Sequence, residues 1–128
     1  MRPIYKLQDT FRKLIWKFQH LFRGWSDKEI WNLDNTIVEW LVPRLKEFKK
    51  ITQGYPGVLE SFEQWQGMLD EMIFGFEWSA NETDWYVKNV YGLPEENKKL
   101  KMKEFEDLIK KAENGRILFA KYFCGLWW

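Results

Sequence analysis

The chain has 128 residues, which at roughly 150 residues per domain makes one domain, able to bury about two-thirds of its unfolded surface. Its 10 Phe, 9 Trp and 5 Tyr exclude a disordered or low-complexity protein, its single Cys excludes a disulfide scaffold, and its single His excludes a two-histidine zinc site. With 20 basic and 19 acidic side chains the net charge names no partner, and a compact, helical, non-enzymatic protein of a reducing compartment is expected.

The balance hides segregation. Residues 1–25 sum to +5, 26–60 to −1, 61–97 to −7 and 98–128 to +4, counting Lys and Arg against Asp and Glu. Basic ends around an acidic middle imply either complementary packing of helices or a basic surface for an anionic ligand.

From Gln8 to Trp25 the residues Phe11, Leu14, Ile15, Phe18, Leu21, Phe22 and Trp25 recur at steps of three and four, which predicts a helix ending at Gly24. Ser26-Asp27-Lys28-Glu29 reads as a capping box opening a second helix, with Ile30, Leu33, Ile37, Val38 and Leu41 on one face. Pro43 is expected to bend or restart that helix. After a turn at Gly54-Tyr55-Pro56-Gly57, Ser61 to Gln64 repeats the capping pattern and Phe62, Trp65, Leu69, Met72, Ile73 and Phe76 form a third stripe. Residues 79–93 look the least regular, with room for a short helix. Pro94 with Glu95 and Glu96 suits the start of a last helix, whose seam runs in phase from Phe105 to Leu126 across Asn114-Gly115 and implies a length of about 50 Å. The fold class is all-α: a helical bundle of about four main helices, one domain over 1–128, with 79–93 as an irregular connection.

Chemistry is sparse. His20 lies on a polar face with Lys13 and Lys17 and is expected to be solvated, while Cys124 is expected to pack as a small apolar residue between Tyr122, Phe123 and Leu126. No phosphate-binding glycine loop is present, and Asp70, Glu71 and Glu77 are expected on a solvated acidic face. No catalytic residue, metal or cofactor is expected. The unusual residue is Asp34, placed in the middle of an apolar stripe, where a carboxylate demands a partner. Arg23 and Arg44 are the nearest candidates, either as an internal ion pair or as a polar pocket for a flat anionic ligand. That pocket comprises Arg23, Trp25, Trp31, Asn32, Asp34, Arg44 and Tyr55, with aromatic walls and convergent charges suited to a nucleotide.

No stretch approaches the roughly 20 apolar residues of a membrane span. A basic stripe, Lys6, Lys13, Lys17 and His20 with Trp16 nearby, has the residue types for nucleic acid or an anionic membrane, but its charge density is modest. Nucleic acid is kept as a lesser alternative and no membrane partner is expected. Leu126, Trp127 and Trp128 at the end of a long helix imply burial against a second copy, hence a homo-oligomer.

Several strings, taken in order, resemble a family of small, mostly uncharacterised bacteriophage proteins. They are Arg23-Gly24-Trp25-Ser26-Asp27, Trp31-Asn32-Leu33-Asp34, Pro43-Arg44-Leu45, Gly54-Tyr55-Pro56-Gly57, Trp65 with Leu69-Asp70-Glu71-Met72-Ile73 and Phe76-Glu77, and Leu118-Phe119-Ala120-Lys121-Tyr122-Phe123 with Leu126-Trp127. The resemblance implies a phage origin and the cytoplasm of a bacterial host, and implies no activity. Genomic company then suggests an accessory protein that counters host defence by binding a nucleotide-type signal, or else a protein–protein inhibitor of a host defence enzyme.

Overall fold

The computed structural model describes residues 3–127, with side chains described from Lys6 onward. Five helices follow one another: α1 (Pro3–Arg23), α2 (Asp27–Trp31), α3 (Leu33–Ile51), α4 (Phe62–Asn89) and α5 (Glu95–Lys121), followed by a 3₁₀ turn at Phe123–Gly125. No strand occurs among the described residues, so the fold is all-α, with four long helices and one short one. The chain divides into two compact units, one ending at Ile37 and the other starting at Val38, a boundary inside α3.

In the first unit, α1 stops because Gly24 takes φ 86° while its N–H still reaches the His20 carbonyl at 2.9 Å, a conformation that favours glycine at this position. Ser26 then caps α2, and its N–H donates to Glu29 Oε2 at 2.6 Å. The helical path breaks at Asn32 (φ −125°, ψ 56°) and not at Pro43, as the sequence suggests. Val42 and Leu45, on either side of Pro43, are buried in the core of the second unit, and that packing carries α3 through the proline despite its missing N–H.

The second unit has an ordinary hydrophobic core. Trp65 is 1 % exposed and Leu69 and Met72 are 0 % exposed, packed with Val38, Val42, Leu45, Leu59 and Ile73. Trp65 sits edge-on between Phe48 and Tyr122, at centroid distances of 6.5 and 6.1 Å, which ties α3, α4 and the end of α5 to one side chain. Ser61 Oγ accepts the Gln64 N–H at 3.1 Å as its capping pattern predicts, but Gln64 reaches back to the Glu60 N–H, one residue before the cap.

Helices α4 and α5 cross at glycines. A Cβ on Gly115 would lie 2.0 Å from the Glu71 carbonyl oxygen, and one on Gly75 would lie 2.6 Å from that of Ala112. Gly115 is therefore a contact point inside α5, and Asn114-Gly115 does not stop the helix. Arg116 reinforces the crossing by donating to the Gly75 carbonyl at 2.8 Å and lies 3.2 Å from Ser79 Oγ. At 27 residues α5 is about 40 Å long, shorter than the sequence seam implies, because the chain tightens into the 3₁₀ turn after Tyr122.

Residues 79–93 are a further correction. Helix α4 continues to Asn89, and only the short stretch before Glu95 is irregular. Trp78 and Trp85, seven apart, share a face and pack with Tyr86 against Phe105 at centroid distances of 5.4–6.1 Å. Asn81, Thr83 and Asp84 point to solvent. What reads as irregular composition is the polar face of an amphipathic helix. Cys124 is likewise exposed, because the 3₁₀ turn takes it out of the α5 seam where apolar packing is expected.

Candidate functional site

The residues expected to form one polar pocket are distributed over both units: Arg23, Trp25, Trp31, Asn32 and Asp34 in the first, Arg44 and Tyr55 in the second. Asp34 is exposed and not buried, and its Oδ1 accepts the Asn35 N–H at 2.8 Å. The break at Asn32 makes Asp34 a first-turn residue of α3, where a carboxylate sits well beside the positive end of the helix dipole. Asn32 itself is the hinge: its carbonyl accepts the Thr36 N–H at 3.0 Å, and the Thr36 hydroxyl lies 2.9 Å from the Glu29 carbonyl and 3.1 Å from that of Asn32.

Both arginines are held by near neighbours in sequence. Arg23 donates from Nη2 to Asp27 Oδ1 at 2.5 Å and from Nε to the Trp25 carbonyl at 3.0 Å, with its guanidinium 5.4 Å from the Trp25 ring centre. Arg44 stacks 4.3 Å over Trp40 and donates to the Trp40 carbonyl at 2.8 Å. Trp31 is 87 % exposed. Tyr55 lines a cleft of about 210 Å³ with Gly54, Pro56, Gly125 and Trp127, small against the roughly 300–1,000 Å³ of typical ligand pockets. Trp127 is exposed, and Trp128 lies outside the described residues.

The polar machinery of the first unit is a clasp that the sequence conceals. Gln19 and Asp27 exchange two hydrogen bonds: Gln19 Nε2 donates to Asp27 Oδ2 and the Asp27 N–H donates to Gln19 Oε1, both at 2.8 Å. The Gln19 amide and the Arg23 guanidinium beside it hold the Asp27 carboxyl below the usual carboxylate range. His20 Nδ1 lies 3.4 Å from Glu29 Oε1. The signal available in the sequence was the spacing of Gln19, Arg23 and Asp27 around a glycine turn, in which Asp27 read only as part of a capping box.

The other face of α1 is apolar and uncovered. Leu7, Phe11, Leu14, Ile15, Phe18, Leu21 and Phe22 are 42–79 % exposed, and Phe18 and Phe22 stack on each other at 6.1 Å. A groove of about 660 Å³ runs along the flank of α1, lined by Lys13, Trp16, Lys17, His20 and Leu21 and closed by Ser26 and Lys28. In the second unit the acidic α4 meets basic partners: Lys46 pairs with Glu77 at 2.5 Å and Lys49 with Asp70 at 2.7 Å, so neither carboxylate is merely solvated. Both lysines belong to the 26–60 segment, which sums to −1, so these pairs are not the basic ends packing on the acidic middle.

Among the described residues no group of three or more His, Cys, Asp or Glu side chains converges, and no helix is long and apolar enough to cross a membrane. No protein-family model, curated protein or solved structure matches the chain.

Proposed function

We propose that this is a non-catalytic binding protein that engages a macromolecular partner through the apolar face of α1. One observation carries the reading: seven large apolar side chains on a single helix face stay 42–79 % exposed. Contiguous apolar surface of this kind marks sites of contact with proteins or membranes. With the resemblance to phage proteins, the partner belongs to a bacterial host and the role is that of an accessory factor countering its defence. A nucleotide-type ligand on Arg23 and Arg44 has weaker support, because both guanidinium groups already bond to local partners.

The test fractionates whole lysate, membranes retained, from a bacterium expressing the tagged full chain. Wild-type protein is expected with large assemblies. Phe18→Glu combined with Phe22→Glu is expected to run as free chain with unchanged helicity and Tm, since both rings are exposed. Free wild-type protein, or identical fractionation of the two, overturns the reading.

A further inference from the structure

We infer that the occupant of the α1 face is an anionic lipid surface, with α1 lying in the plane of the interface; the inference rests on the macromolecular-contact reading above. Helical steps of 100° place Phe11 and Phe18 at the middle of the apolar face, with Leu7, Leu14, Leu21 and Phe22 around them. The same steps put Lys6, Lys13 and Lys17 along one border of that face and Arg12 toward the other, with Asp9, the sole acidic residue of α1, on the opposite side. An apolar face bordered by Lys and Arg is the pattern of helices that settle between lipid headgroups and acyl chains.

Charge chooses among the occupants. A second copy docked face to face would bring Lys6, Lys13 and Lys17 against the same residues if antiparallel, or toward Arg12 if parallel, with no carboxylate on the borders to pair them. Nucleic acid would take up the lysines and leave the Phe and Leu side chains in water. Anionic headgroups over an apolar layer satisfy both features at once. Peripheral binding is compatible with the finding that no described helix can span a bilayer. It revises the expectation of no membrane partner, which followed from the lack of a spanning segment and the modest charge density of the basic stripe.

The experiment is co-sedimentation of the purified full chain with vesicles of phosphatidylglycerol and phosphatidylcholine, against vesicles of phosphatidylcholine alone. Binding to the anionic vesicles, weakening as salt is added, is expected. Lys13→Glu with Lys17→Glu should lower affinity about ten-fold or more, and Phe18→Glu with Phe22→Glu should abolish binding. No binding to anionic vesicles, or undiminished binding by the phenylalanine variant, overturns the inference. So does self-association of wild-type protein in the absence of lipid that the phenylalanine variant loses, or salt-sensitive DNA binding that the variant keeps. If vesicles fail while the lysate fractionation still separates wild type from the phenylalanine variant, the lipid assignment falls and macromolecular contact stands. If both fail, the α1 face has no such role.

Discussion

The two units draw on the same residue types and use them in opposite ways. The second buries Trp65, Leu69, Met72, Val90 and Ala112 to 1 % exposure or less. In the first, among the described residues, only Ser26 is buried, and α1 is joined to α2 by the hydrogen bonds of Gln19, Arg23 and Asp27 while its Phe and Leu side chains face outward. Recurrence at three and four residues specifies a helix and a face in both units. It does not specify what covers the face, because coverage depends on which elements arrive there from elsewhere.

The comparison can be broken or sharpened by substitution. The largest effect is expected at Trp65, whose removal as Trp65→Ala leaves a cavity between Phe48 and Tyr122. A loss of about 3–5 kcal/mol is expected in denaturant unfolding, whereas the paired Phe18→Glu and Phe22→Glu changes should leave stability nearly unaltered. Comparable losses at the two places would mean that the first unit has a core after all. Next comes Gly115→Ala. In an open helix this change adds about 1 kcal/mol of stability, but here the new Cβ meets the Glu71 carbonyl, so a net loss of about 1–3 kcal/mol is expected. A stabilised variant would show that α4 and α5 do not touch at this point.

The smallest effect belongs to the clasp. Its partners hold the Asp27 carboxyl below its ordinary range, so the folded-state pKa is depressed. Such a group contributes stability above its unfolded pKa of about 4, and the contribution disappears as pH falls through the folded value. Amide protection at the α1–α2 junction, taken relative to the intrinsic exchange rate at each pH, should therefore fall selectively in acid, while α4 and α5 keep theirs. Asp27→Asn should remove the acid step. Identical pH dependence in both proteins would exclude the clasp as the cause.

Much of the local structure was legible in the residues. Gly24 ends α1, Ser61 caps α4, and Pro94 with Glu95 and Glu96 opens α5, because each acts through hydrogen bonds or dipoles within one turn. The candidate pocket was not legible. It required Asp34 to lie mid-helix, and the break at Asn32 moved that residue to a helix start and removed its need for a buried partner. Asn81 and Asn89 likewise disguised the last third of α4, whose aromatic anchors, Trp78, Trp85 and Tyr86, find Phe105 some 19–27 residues onward.

Sequence by itself determined an all-α chain, the faces of its helices, the turn at Gly24 and the long final helix, since periodicity, caps and turn residues act over a few positions. Tertiary structure alone decided that α3 passes through Pro43, that Gly75 and Gly115 are a crossing point, and that the stripe of α4 becomes core. The physical reason is one of range. A helix forms from neighbours in the chain, but whether its apolar face is buried depends on the shape and charge of surfaces far away in sequence.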